Sequence, residues 1–111
     1  MRRVLAAALT AFVLPAAAHT SDCTRFEGID KARCERHSTM FLKCGMVKGE
    51  AHHECDREYL VANPLQCGSL SGTDAQRCEK ENAAFKSCQD LKGSAFGSCV
   101  RKTINESPMG H

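Results

Sequence analysis

The chain has 111 residues, eight cysteines, no tryptophan and a formal net charge of +2. Setting Arg2 and Arg3 aside with a predicted leader leaves 13 basic and 13 acidic side chains, so the chain lacks the one-signed field that nucleic acid or an anionic membrane needs. The length fits one small domain, and the few aromatic residues predict a thin apolar core that needs covalent help.

Residues 1–18 have the pattern of a signal peptide. A basic start at Arg2 is followed by an apolar run over residues 4–14 and by small residues at the cleavage position, so His19 is expected to begin the mature chain. A membrane-spanning helix needs about 20 apolar residues, and this run is shorter. We therefore expect no membrane span after cleavage. Mitochondrial targeting is the alternative address, but the pattern favours secretion or delivery to the periplasm.

The cysteines indicate that the chain is a tandem duplication. Their spacings of 11, 10 and 11 residues occur twice, 44 positions apart. Shifting one half onto the other gives fourteen identities in 44 positions, where an unrelated pair would share about three. We therefore expect a first cysteine-rich repeat at 19–66 and a second at 67–111. The eight cysteines are Cys23, Cys34, Cys44, Cys55, Cys67, Cys78, Cys88 and Cys99.

Each repeat is predicted to begin with a long helix. In the second repeat, Thr73 heads a capping-box pattern and Asp74 puts a carboxylate in the first turn, where the helix dipole favours it. Asp30 serves the same end in the first repeat. No proline interrupts either segment, and Gly49 and Gly93 are expected to end the two helices.

A second, shorter helix is predicted to follow in each repeat, from Glu50 in the first and from Ser94 in the second. These helices should end before Pro64 and Pro108, because a residue that precedes proline avoids helical backbone angles. The predicted fold class is all-α: two tandem disulfide-stapled helical-hairpin repeats packed as a small four-helix array.

The apolar residues of the long helix fall on one side of it. At about 100° per residue, Phe41, Cys44 and Met40 lie on one stripe with Cys34. The same pattern places Phe85 on the corresponding stripe of the second repeat. We therefore expect Phe41 and Phe85 to be core residues rather than a ligand platform.

In an exported chain, eight cysteines predict four disulfides and no free thiol. Spacing alone leaves roughly a hundred pairings open. Chain reversal is easiest at a glycine. In the first repeat Gly28 lies midway between the first two cysteines, and Gly49 lies midway between the last two. This favours four local bridges: Cys23–Cys34, Cys44–Cys55, Cys67–Cys78 and Cys88–Cys99.

Two of the spacings also resemble a known family. Cys34-x9-Cys44 and Cys78-x9-Cys88 are similar to the twin C-x9-C helices of the coiled-coil-helix proteins of the mitochondrial intermembrane space. The resemblance implies a different connectivity, in which Cys34 pairs with Cys88 and Cys44 pairs with Cys78. It covers four residues, and the chain departs from it in its leader, in the length between the motifs and in its further cysteines.

Metal binding is the first chemistry to weigh. The cysteines lack the short knuckle that closes a zinc site. His52 and His53 are adjacent on a helix, where their side chains point about 100° apart, and the second repeat has Phe96 and Gly97 in their place. A mature N-terminal His19 could chelate copper, but no scaffold for copper chemistry accompanies it. We therefore predict no cofactor and interpret the histidine pair as part of a solvated helix face.

The sequence contains no Gly-x-Ser-x-Gly, no His-Glu-x-x-His, no glycine-rich phosphate loop and no C-x-x-C of a thiol oxidoreductase. Glu35 and Glu79 recur in both repeats, as do Arg33 and Arg77. Residues shared by two copies indicate a shared fold with helix-surface ion pairs rather than two catalytic sites. We therefore predict that the protein is not an enzyme.

Binding is the function class that remains. A small disulfide scaffold presents a rigid surface at low entropic cost, so we predict non-enzymatic binding of an unidentified protein partner. The repeats differ most outside their shared frame residues, and we predict a binding surface over residues 50–65 with His52, His53 and Tyr59 as the candidate binding residues. The alternatives are a metal-handling protein of the cell envelope, for copper or zinc, and a secreted toxin or effector.

Overall fold

A computed structural model describes residues 22–109. The predicted leader and His19 lie outside the described residues. Over the described range the chain is all-α and has no strand. Its four α-helices are α1 (Gly28–Cys44), α2 (Glu50–Ala62), α3 (Gly72–Cys88) and α4 (Ser94–Ile104), and short 3-10 turns at Cys23–Arg25 and Cys67–Ser69 precede α1 and α3.

The four helices form two hairpins that are stacked in the same orientation. The α1–α2 hairpin packs on the α3–α4 hairpin with α1 against α3 and α2 against α4. Ile29 N–H donates to the carboxylate of Asp74, which joins the start of α1 to the start of α3. Ser94 N–H likewise donates to Glu50, which joins the starts of α4 and α2. Like helices therefore lie side by side, and the predicted four-helix array of two hairpin repeats is confirmed.

The helix boundaries differ from the prediction at three positions. α3 begins at Gly72, and Ser71 C=O accepts from Ala75 N–H, so Thr73 already lies in the first turn and caps nothing. The long helices end at Cys44 and Cys88, before Gly49 and Gly93. Those two glycines, at φ 69° and 56°, instead turn the chain directly into α2 and α4.

The disulfides follow the predicted local pattern. The bridges are Cys23–Cys34, Cys44–Cys55, Cys67–Cys78 and Cys88–Cys99, and no cysteine of the described range is free. The pairing implied by the coiled-coil-helix resemblance is therefore wrong. In each repeat one bridge ties the 3-10 turn to the long helix and the other closes the hairpin. A disulfide that closes a loop of about 12 residues raises the free energy of unfolding by about 3 kcal/mol in the chain-entropy model.

The main apolar core lies between the two hairpins. It contains Met40, Cys44, Leu60, Ala84, Phe85, Cys88, Phe96, Val100 and Ile104. Phe85 is 4 % exposed, as predicted, but Phe41 is 40 % exposed, so its assignment to the core is wrong. Phe85 packs against Phe96, with ring centroids 5.6 Å apart, and lies under the Arg36 guanidinium of the first repeat, whereas Phe41 lies outside the core cluster.

Candidate functional site

A buried network of ion pairs joins the two repeats. Arg33 Nε donates to Glu81 Oε1 at 2.7 Å and its Nη1 donates to Glu106 Oε1 at 2.6 Å. Arg36 Nη2 donates to Glu81 Oε2 at 2.6 Å and to the carbonyl of Pro108 at 2.9 Å. The expectation that Arg33 forms a helix-surface ion pair is therefore wrong. Arg33 instead ties α1 to α3 and to the C-terminal segment, residues 105–109.

This network is suited to holding the fold rather than to transferring protons. Both carboxylate oxygens of Glu81 accept guanidinium N–H groups. Hydrogen bonds from Arg77, and then from Arg33, lower the pKa of Glu106 to about 2. Burial lowers the pKa of Arg36, and the Glu81 carboxylate opposes that shift. Glu106 is therefore ionised at neutral pH, and the hydrogen bonds of both carboxylates tie α1, α3 and the C-terminal segment together.

A cavity of about 90 Å³ opens between α2 and α4. Leu60 of α2 and Phe96 and Val100 of α4 line it with apolar side chains. Pro108 and Met109 of the C-terminal segment also line it, so the segment held by the buried network also forms part of this cavity. The fold thus positions an apolar recess whose walls come from both repeats.

Gly97 keeps the recess open. It is the fourth residue of α4, where glycine costs a helix about 0.5–1 kcal/mol relative to alanine. The nearest atoms to a Cβ added there would be those at the flexible end of the Arg101 side chain, with Nη1 at 3.3 Å. The backbone conformation therefore does not require glycine at this position, and its consequence is space in the cavity.

Charged side chains surround the mouth of the cavity. Arg57 donates through Nε to both oxygens of Glu54, at 2.8 and 2.9 Å, and through Nη1 to the carbonyl of Gln89 at 3.1 Å. Glu54 also accepts from Gly93 N–H at 2.8 Å. These bonds, those of Arg57 first, lower the pKa of Glu54 to about 2. Arg101 lies at the same mouth and is exposed.

The structure separates the three predicted binding residues. His53 is exposed and lines the cavity. His52 points elsewhere, with Nδ1 2.9 Å from the carbonyl oxygen of Cys44 and Nε2 3.2 Å from Asp56 Oδ2. Tyr59 is half-buried against the core, away from the cavity lining, with the Lys43 ammonium 5.9 Å from its ring centroid. His53 is the one candidate that belongs to this site.

Sequence reasoning missed Gly97, Arg57 and Arg101. A signal for them existed, because His53 and Gly97 occupy the same position in the two repeats, as do Arg57 and Arg101. In hairpins stacked in the same orientation, equivalent positions of α2 and α4 come to lie side by side. The place where the repeats diverge therefore becomes a single site, which the sequence alone does not show.

The described part of the chain contains no cluster of metal-ligand side chains. No group of three or more His, Cys, Asp or Glu side chains within residues 22–109 is placed to hold a metal ion. Burial raises the pKa of Asp56, and the nearby His52 and His53 partly oppose this rise.

Among the described helices, none has the length and apolar character needed to cross a membrane.

Comparison with known proteins found no protein family model, no curated protein and no solved structure that matches the chain. The candidate site therefore stands on its own geometry: a small apolar recess between α2 and α4, with cationic side chains at its mouth.

Proposed function

We propose that this protein is an exported, non-enzymatic binding protein whose cavity between α2 and α4 receives one apolar side chain of a protein partner. Gly97 is the observation that carries the proposal. A residue that weakens its own helix and opens an apolar recess breaks a local rule of folding, and such departures concentrate at functional sites.

The size of the cavity favours a side chain over a whole small molecule. Ligand and cofactor pockets usually enclose roughly 300–1,000 Å³. The recess of about 90 Å³ is well below that range and has the scale of one aliphatic side chain. Burying such a side chain contributes about 1.5–3 kcal/mol, which is the behaviour of an anchor residue in a protein interface.

The four disulfides support export of the protein. Disulfides form and persist in oxidising compartments, and the four bridges of the described chain leave none of its cysteines free. The leader pattern at the start of the sequence points to the same address. A frame fixed by four crosslinks holds the cavity in one shape before a partner arrives, which lowers the entropic cost of binding.

Capture of the partner with a plugged variant tests the proposal. The tagged protein is used to capture proteins from its native compartment, in parallel with Gly97→Leu, which fills the recess, and with Ala95→Leu. Ala95 is an exposed residue of α4 outside the cavity lining, so it is the matched control. The proposal predicts a partner that the wild-type and Ala95→Leu proteins capture and Gly97→Leu does not. A Gly97→Leu protein that is folded and captures the same set would overturn it.

A further inference from the structure

We propose that the apolar anchor of the partner is adjacent to a carboxylate, Asp or Glu, which Arg101 binds at the mouth of the cavity. This inference rests on the proposed function and adds the chemistry of the partner: a protein segment in which an aliphatic residue and an acidic residue are neighbours.

Equivalent arginines of the two repeats differ in their ion pairing. Arg57 and Arg101 occupy equivalent positions on α2 and α4. Arg57 is bound by a carboxylate of its own helix, that of Glu54, three residues earlier. The residue equivalent to Glu54 on α4 is Ser98. Arg101 therefore has the position of Arg57 without the internal carboxylate that Arg57 uses.

The charges around Arg101 leave it available. Within residues 22–109 its guanidinium forms no hydrogen bond or ion pair. Helix α4 also carries Lys102 and contains no acidic residue. Among the described residues that line the cavity, the one with a carboxylate is Asp56, which lies 3.2 Å from His52 Nε2. An arriving carboxylate therefore meets an uncompensated guanidinium, which binds carboxylates through paired N–H donors.

The geometry places both contacts on one short segment. Arg101 Nη1 is 3.3 Å from the position that a Cβ on Gly97 would take, so the guanidinium lies at the edge of the space that Gly97 leaves open. A side chain that enters the recess brings its neighbouring residue to that edge. A leucine followed by a glutamate satisfies both requirements.

Peptide binding measured by backbone amide NMR tests the inference. The probes are Ac-Gly-Leu-Glu-Gly-NH2, the same peptide with Leu→Ala, the same peptide with Glu→Gln, and free isovalerate. We expect the first peptide to shift amides of α2, α4 and the C-terminal segment. The Leu→Ala peptide should bind about tenfold more weakly, from the loss of apolar burial. The Glu→Gln peptide should bind about threefold to fivefold more weakly, as for a partly exposed ion pair.

Two protein variants assign the acidic preference to Arg101. Arg101→Gln removes the cation, and Ser98→Glu gives Arg101 the internal carboxylate that Glu54 gives Arg57. Both should abolish the preference for the Glu peptide over the Gln peptide. Lys102→Gln removes an exposed charge of the same helix outside the cavity lining and should leave the preference unchanged.

Three results would overturn the inference: equal binding of the Glu and Gln peptides, a preference that survives Ser98→Glu, or isovalerate binding as tightly as the peptide. The last result would assign the cavity to a free small acid. The proposed function fails separately, when capture is indifferent to Gly97→Leu. Capture that needs Gly97, combined with equal binding of the Glu and Gln peptides, would retain the binding site and reject the acidic partner.

Discussion

Arg33 and Glu81 form an ion pair between the two repeats, with Nε and Oε1 2.7 Å apart and the two side chains 2 % and 0 % exposed. Glu81 occupies the position of His37 in the first repeat, so the duplicated sequence carries this carboxylate once. The pair therefore joins one specific face of each repeat. We infer that it contributes more to the order of stacking than to net stability, because burial of charge offsets much of its attraction.

Glu81→Gln should be strongly destabilising. It leaves the buried guanidinium of Arg36 without a carboxylate and Arg33 with that of Glu106 alone, and breaking a buried pair in this way costs about 3–5 kcal/mol of unfolding free energy. Urea unfolding followed by circular dichroism measures the loss. Glu79→Gln, on the exposed side of the same helix, is the control and should change the unfolding free energy by less than about 0.5 kcal/mol. Similar losses in the two variants would contradict the structural role of Glu81.

Glu106 should make the protein sensitive to acid. Its pKa is lowered from an ordinary value of 4.5 to about 2 in the folded chain, so its stabilising contribution is complete above pH 4.5 and is lost as the pH falls towards 2. The thermal midpoint of the wild-type protein should fall across this window. Glu106→Gln carries no titrating group there, so its midpoint should fall less. Parallel pH profiles for the two proteins would show that the ion pairs of Glu106 do not stabilise the C-terminal segment.

Gly97→Ala should separate stability from binding. Alanine removes the cost of glycine in a helix, so the unfolding free energy should rise by about 0.5–1 kcal/mol. The added methyl group also narrows the recess, so affinity for the Leu-Glu peptide should fall. Ala95→Gly, the reverse change at an exposed position of α4, should lower stability and leave affinity unchanged. A Gly97→Ala protein with unchanged affinity would show that the space at Gly97 is not used.

Removal of the Cys44–Cys55 bridge should cost about 3 kcal/mol through the entropy of the unfolded chain. Both sulfurs are replaced in Cys44→Ala/Cys55→Ala, and chemical unfolding measures the effect. Cys44 is fully buried in the main core, so the loss should exceed that of Cys23→Ala/Cys34→Ala, which lies outside that core. Equal losses would indicate that crosslinking alone, without packing of the sulfurs, sets the contribution of each bridge.

The sequence was informative wherever the physics is local. Cysteine spacing and the repeated glycines predicted the disulfides and the hairpins, because a bridge across a short reversal depends on few residues. The prediction that Phe41 is a core residue was wrong because helical periodicity shows which side of a helix is apolar and does not show what packs against that side. The contact between Arg33 and Glu81 joins positions 48 residues apart and depends on how the repeats stack, which no spacing encodes.

The candidate site shows the same limit. His53 was singled out because the repeats differ there, which is a local observation. Gly97, Arg57 and Arg101 became part of a site only when α2 and α4 were found side by side in the same orientation. Divergence between repeats therefore located the region, and the packing of equivalent helices determined which residues form the cavity.

Methyl NMR of the complex with the Leu-Glu peptide determines which protein methyl groups the leucine side chain contacts, and so whether the leucine enters the cavity. We expect intermolecular nuclear Overhauser effects from the leucine methyls to Val100 and Met109, which line the cavity. Effects confined to Leu42 and Met46, exposed apolar side chains in α1 and just beyond its C-terminal end, would contradict it. That result would place binding on the outside of the first hairpin and not between α2 and α4.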